Sequence, residues 1–328
     1  MQLVPILQLI AGLVALVFGA EFLVRGASRL AAAAGVSSFV VGLTVVAFGT
    51  SAPELGGSLG AAIQGNTGLA VGNIVGSNIA NILLILGLTA IICPIPVKFK
   101  VVKREVLQMI GITIVAMLLM LWDSIPRLGG VALFLGLLVF IVRSYKMGKS
   151  DPEHAEEMQV AAKELATEVT HGTKRPLIVN LVMVAAGMFL LVIGASQLVG
   201  GATSVAKMFN VSDAVIGLTL VAFGTSVPEL SLSVVAALRK ESDIAIGNIL
   251  GSNIFNILCV LGITTMVSPN PLVVPADMWT RDLWVMLGAS LACLPILMSG
   301  GKVSRIEGIV LLGLYGVYLG TVFMMSGG

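Results

Sequence analysis

The stretch AFGTSAPELGG, residues 47–57, carries a helix start signal in an unexpected place. Ser51-Ala52-Pro53-Glu54 has the S-x-x-E spacing of a capping box, in which serine and glutamate side chains satisfy orphan backbone N–H groups at a helix N-terminus. The residues before it, VSSFVVGLTVV (36–46), already read as an apolar helix under way, and Glu54 is the only charged side chain between Arg29 and Lys98. A start signal with a carboxylate inside one apolar run predicts a helix that breaks and begins again, with an ionisable group at the break.

The rest of the chain sets that break in a membrane. Of 328 residues, 57% are hydrophobic and 11% charged, against about 25% charged in a soluble domain. A bilayer-spanning helix needs roughly 20 apolar residues. Ten such runs are legible, at 4–24, 36–63, 69–93, 106–122, 128–145, 177–198, 211–238, 244–267, 283–299 and 306–325. The first has no basic n-region and no clear cleavage site, so it reads as a retained helix. The expected fold is an all-α polytopic membrane protein with ten transmembrane helices. With the N-terminus outside, ten crossings put 16 of the 19 Lys and Arg on the inner side. The positive-inside rule then places both termini outside and the central loop in the cytoplasm. A plasma membrane of the bacterial or archaeal inner type is the expected location.

The sequence also repeats itself at a shift of 175 residues. GLTVVAFGTSAPEL (42–55) meets GLTLVAFGTSVPEL (217–230), and GNIVGSNIANILLILG (72–87) meets GNILGSNIFNILCVLG (247–262). Over 36–89 against 211–264, 32 of 54 positions are identical without a gap. Five helices per half is an odd number, so the second copy enters the membrane from the opposite side. That is the inverted-repeat plan of secondary transporters, with a site near the midplane. The expected domains are a first five-helix repeat over 1–145, a cytoplasmic connecting loop over 146–176, and a second repeat over 177–328. Within the loop, Asp151-Pro152 can start a short helix with Glu153, Glu156 and Glu157 near its beginning. A solvated connector is the preferred reading there over a regulatory cation site. Glu21 and Arg25 read as a local i,i+4 pair.

Glu54 and Glu229 lie at equivalent positions deep in apolar runs, where ionisable groups normally face a polar cavity or pathway. Pro53 and Pro228 lack an N–H, and each ring clashes with the carbonyl four residues back, at Gly49 or Gly224. Carbonyls around Ala47–Thr50 and Ala222–Thr225 then become available to a cation. The N-terminal dipole of each restarted half-helix favours an ionised carboxylate. Thr50, Ser51, Glu54 and Ser58 share a face by spacing, as do Thr225, Ser226, Glu229 and Ser233. In the next span Asn73, Ser77 and Asn81 recur every four residues, matched by Asn248, Ser252 and Asn256, with Asn78 and Asn253 one position off. A donor set of carboxylate, amide, hydroxyl and carbonyl oxygens suits Na+, Ca2+ or similar hard ions and argues against zinc or copper. His154 and His171, the only histidines, fall in the central loop, and Cys93, Cys259 and Cys293 match no metal-binding spacing.

GTSAPE and GTSVPE, each followed by a GN-I-GSNI-NIL segment, resemble the α-repeats of the sodium/calcium exchangers in the calcium/cation antiporter superfamily. The closest likeness is to the compact prokaryotic members. The resemblance implies cation ligands at Glu54, Glu229, Ser51, Ser226, Ser77, Ser252 and Asn81. It adds the side chains or carbonyls of Thr50 and Thr225 and the carbonyls of Ala47 and Ala222. It also implies alternating access, with the first and sixth helices sliding across a core that holds the site. Some members carry Asp where this chain has Asn81 and Asn256; two carboxylates make K+ cotransport less expected and leave the stoichiometry open. The leading expectation is Na+/Ca2+ antiport without a cofactor, the partners being the bilayer and inorganic cations, with no nucleic acid; the oligomeric state is left open, although a monomer could suffice. H+/cation exchange is the alternative, and a passive cation channel a remote one. An intramembrane hydrolase is disfavoured, since no His or Asp lies in the apolar spans beside these serines.

Overall fold

The computed structural model describes residues 3–121, 124–150, 177–209 and 224–326. The expected helix start at Asp151, both histidines, the first part of the 211–238 run and Ala222 lie outside the described residues. Among the described residues the fold is all-helical apart from four two-residue strands.

In chain order the helices are α1 (Leu3–Ala34), α2 (Ser38–Thr50), α3 (Ala52–Ile63), α4 (Thr67–Ile92), α5 (Phe99–Leu119) and α6 (Arg127–Ser150). There follow α7 (Leu177–Met208), α8 (Val227–Leu238), α9 (Ser242–Val267), α10 (Met278–Met298) and α11 (Arg305–Ser326). Among the described residues seven helices are long and apolar enough to cross a membrane, and the bent pair α2–α3 makes an eighth. Two expected spans fall short of that measure. α5 has the length, but Lys100, Lys103, Arg104 and Glu105 crowd its first turns. α8 is a 12-residue apolar helix. Apolar side chains on α1, α6, α7 and α11 are widely exposed, as expected where lipid is the solvent. The chain is a multi-pass membrane protein.

By spatial grouping the chain forms two compact units, each drawing on both halves of the sequence. One comprises Met1–Pro53 with Ile141–Asn248, the other Glu54–Phe140 with Ile249–Gly328.

The first unit is built on α1 and α7, each 32 residues long, or about 48 Å at 1.5 Å per residue. They run antiparallel with a seam of glycines seven residues apart. Gly12, Gly19 and Gly26 of α1 face α7, and Gly187, Gly194 and Gly201 of α7 face α1. A Cβ on Gly12 would lie 2.6 Å from the Leu198 nitrogen, and one on Gly194 2.9 Å from the Gly12 oxygen. The two backbones therefore touch directly, which is how small residues hold helices together in lipid. These glycines are also related by the 175-residue shift. Beside the seam, Leu23, Val24 and Ala27 of α1 pack with Val227, Leu232 and Ala236 of α8 in one apolar cluster.

At the end of that contact Glu21 does more than pair with Arg25. Its carboxylate also accepts from Arg239 Nε at 2.8 Å, tying α1 to the C-cap of α8. Sequence spacing shows Arg25 and misses Arg239, 218 residues away. With Arg239 half exposed, Arg239→Gln is expected to lower stability by less than about 1 kcal/mol. The double variant with Arg25→Gln leaves the carboxylate without either cation. It should melt lower than the sum of the single shifts, as read by thermal denaturation in detergent.

The second unit contains pairs that mirror the repeat. Gly87 of α4 meets Gly308 of α11, and Gly262 of α9 meets Gly130 of α6, again backbone to backbone. Strand β1 (Ile95–Pro96) pairs antiparallel with β4 (Lys302–Val303), and β2 (Ser124–Ile125) with β3 (Leu272–Val273). Arg305 donates to the Ile91 carbonyl at 3.1 Å, and Arg127 to that of Ser268 at 3.1 Å. Each thereby places a cation at the carbonyl end of a helix, where the dipole favours it. α5 packs on α10, where Thr113 and Ser290 come within 3.4 Å.

Candidate cation site

The chain breaks where the SAPE motif predicts. α2 ends at Thr50, Ser51 takes a turn conformation (φ −82°, ψ 5°), and α3 resumes at Ala52 with a 41° bend. Ser226 has nearly the same geometry (φ −89°, ψ 0°) before α8. The break is right, but the capping chemistry differs. The Ser226 side chain makes no capping bond. The Ser51 hydroxyl donates to Glu229 Oε1 at 3.3 Å, 178 residues away in sequence. Proline and the turn at serine begin the second half of the helix. The Ala47 carbonyl keeps its helical partner, accepting from the Ser51 N–H at 3.0 Å. Any cation it binds must use its second lone pair.

In the first unit the polar groups form a connected set. Glu229 is buried in the first turn of α8, among the apolar residues Val227 and Leu232. Besides Ser51, it is tied through its main chain: Asn248 Nδ2 donates to the Glu229 carbonyl at 3.5 Å and to Ser233 Oγ at 3.1 Å. Asn248 Oδ1 accepts from Thr50 Oγ1 at 3.0 Å, and Thr50 also lies 3.3 Å from the Ala47 carbonyl. Met188 and Val199 of α7 occupy the space beside Gly49 and Gly224, so a side chain at either glycine would have to displace them. Ser226 is buried and Thr225 only partly so.

The second unit repeats the asparagine arrangement. Asn73 Nδ2 donates to the Glu54 carbonyl at 3.3 Å and to Ser58 Oγ at 2.9 Å. Adding 175 to each number gives Asn248, Glu229 and Ser233. Glu54, Ser77, Asn81, Ser252 and Asn256 are all at most 4% exposed, although four are polar and one is a carboxylate. Burial of that extent requires partners. Asn78 and Asn253 find theirs locally, donating to the carbonyls of Ile74 and Ile249. Asn81 and Asn256 do not: both amide atoms of each are buried without a hydrogen-bond partner among the described residues. Each also opens a π-helical turn, Asn81–Leu86 and Asn256–Leu261, a local irregularity often found at functional sites. Two equivalent amides left with donor and acceptor unmet are suited to a ligand not part of the protein.

Sequence spacing placed Asn73 and Asn248 on the polar stripe without a role. Their function as anchors of the Glu54 and Glu229 backbones depends on contacts 15 to 19 residues away, and the identical pair of offsets in the two halves was the available signal.

Comparison with known proteins now decides the family. The sodium/calcium exchanger protein family matches residues 4–146 and 179–324. The chain belongs to that family. Within it, the exchanger is 42% identical to the protein CaxA of Alkalimonas amylolytica over 95% of this chain and 96% of that one. It is 33% identical to the inner membrane protein YrbG of Escherichia coli, covering 97% and 96%. It also superimposes on a structure of the sodium-calcium exchanger NCX_Mj soaked with Na+ and Sr2+, with a TM-score of 0.81, 32% identity, and 98% and 99% of the two chains covered. The exchanger is thus a transporter rather than an enzyme, as the absence of a nucleophile–base pair in its spans led us to expect.

Proposed function

We propose that this protein is a secondary antiporter that exchanges Na+ for Ca2+ by alternating access. The observation that carries the reading is the pair of buried glutamates, Glu54 and Glu229, at equivalent helix breaks and each anchored by an equivalent asparagine. The names and ions of the solved relative support Na+ and Ca2+ as the cargo. The proposed ligands are Glu54, Glu229, Thr50, Ser51, Thr225, Ser226, Ser77, Ser252, Asn81 and Asn256, with the carbonyls of Ala47 and Ala222. Pro53 and Pro228 serve by breaking the helices. All the donors are oxygens or amides, as a hard cation requires.

The same chemistry explains why exchange would be obligatory. Two ionised carboxylates in a low-dielectric interior are costly without a counter-charge. One Ca2+ neutralises both, and so can Na+ ions taken up in its place, whereas the empty site resists reorientation. The helix N-termini that begin α3 and α8 favour negative charge at these positions. We place this site in ten spans arranged as two inverted five-helix repeats, 1–145 and 177–328, joined by a cytoplasmic loop over 146–176. The eight spans met among the described residues, together with α5 and the run ending in α8, make up the ten. The antiparallel course of α1 and α7, equivalent under the 175-residue shift, supports the inversion. The excess of Lys and Arg supports termini outside and the loop inside, and the inner-membrane relative supports a plasma-membrane location. The glycine seam supports α1 and α7 moving as one body.

Competition between the two cations tests the reading. Ca2+ titrated into detergent-solubilised protein should bind with an affinity that falls as Na+ rises at constant ionic strength. Ca2+ binding insensitive to Na+ but weakened by acid would favour proton exchange, and would count against the proposal.

A further inference from the structure

The hydrogen bonds around Asn248 form a chain whose direction is fixed at one end. A carbonyl oxygen only accepts, so the Glu229 carbonyl at 3.5 Å and Ser233 Oγ at 3.1 Å identify the amide nitrogen side of Asn248. The other side must then be Oδ1, which also only accepts. Thr50 Oγ1, 3.0 Å from it, has to supply the hydrogen. Asn73 repeats the fixed end of this chain on Glu54 and Ser58. Asn248 is fully buried, so no solvent competes for these bonds.

We propose that Asn248 is a positioning residue that turns the Thr50 hydroxyl proton away from the cation and couples that orientation to the backbone of Glu229. This rests on Thr50 and Glu229 serving the proposed cation site. A hydroxyl binds a cation through its lone pairs, so it is useful only when its hydrogen points elsewhere. Asn248 provides that acceptor in a fixed place. Without it the Thr50 hydrogen falls to the Ala47 carbonyl, 3.3 Å away, and occupies an oxygen that is itself a proposed ligand. One amide therefore sets two ligands at once and links the helix break at Ser51 to that at Ser226.

The test uses the full-length protein in proteoliposomes, with the KM for Ca2+ measured in wild type, Thr50→Val, Asn248→Leu and the double variant. Each single change is expected to raise KM about tenfold. The double variant should stay within about twofold of the worse single one, because both remove the same oriented hydroxyl. Vmax should change less than KM in each. If the factors multiply to roughly a hundredfold, or if Asn248→Leu leaves KM unchanged, Asn248 does not position Thr50. Asn248→Ala carries the same cycle should the leucine variant not fold. Failure of the underlying exchange reading looks different: wild-type vesicles would show no Na+-dependent Ca2+ uptake at all.

Discussion

Glu229→Gln is expected to lower Ca2+ exchange by about thirtyfold to several thousandfold, and Glu54→Gln to do the same. The estimate follows from removing one charge of a buried charge–charge contact, which costs about 2–5 kcal/mol or more. Glutamine preserves the shape of the side chain and the backbone contacts to Asn248 and Asn73, so the fold should survive. The loss should appear mainly in Ca2+ affinity and less in expression or melting temperature. The equivalence of the two positions gives the prediction a second edge: the single variants should be alike within an order of magnitude. If either retains wild-type uptake at low Ca2+, that carboxylate is not a ligand, and the oxygen-rich shell around it needs another explanation. Ser51→Ala, by contrast, removes no charge; it loses the 3.3 Å hydrogen bond to the Glu229 carboxylate and one proposed neutral ligand, and should cost less, about 1.5–3 kcal/mol.

Gly194→Leu should be the most damaging change outside the site. A Cβ there would sit 2.9 Å from both the Gly12 oxygen and the Leu16 nitrogen of α1, with backbone rather than a flexible side chain in the way. The helices must separate, and the close contact that holds them is lost along much of the seam. Overpacking of this kind costs about 3 kcal/mol or more when the neighbour cannot yield. The expected result is loss of the monodisperse peak in detergent size-exclusion chromatography. Gly200→Leu on the same helix is the control, since nothing lies within 4 Å of its Cβ position. Equal behaviour of the two variants would show that the seam contributes nothing special.

Much of this architecture is written locally in the chain. Pro53 and Pro228 mark the breaks because a missing N–H acts within four residues. Glu54 and Glu229 stand out because a charge in an apolar run has few explanations. The 175-residue shift exposes the equivalence of the two halves without any structure. The failures share a different cause. The S-x-x-E pattern describes a local cap, and no local rule sees that the Ser51 hydroxyl donates to Glu229, 178 residues away. Arg239 escaped for the same reason, while Arg25, four residues from Glu21, did not. Apolar runs also ended too early where helices carry charge. The first run stops at residue 24, whereas α1 continues to Ala34 through Arg25 and Arg29. The glycine seam lay within reach, since Gly12, Gly19 and Gly26 map onto Gly187, Gly194 and Gly201 by the same shift. Identity around them is thinner than in 36–89, so composition alone does not announce them.

The roles of Asn81 and Asn256 show the limit most clearly. Their place in a polar stripe was legible, but their amides, unmet among the described residues, emerge only from the packing. A sequence can nominate a polar side chain. Only packing shows that the described residues supply it with no partner.

The central claim is that Na+ is the counter-ion for Ca2+ at this site. Wild-type proteoliposomes loaded with Na+ and diluted into Na+-free medium, at equal pH on both sides, provide the direct measurement. Ca2+ uptake should follow the Na+ gradient and vanish when Na+ is equal across the membrane. Uptake that ignores the Na+ gradient, or that a pH gradient alone sustains, would contradict the account.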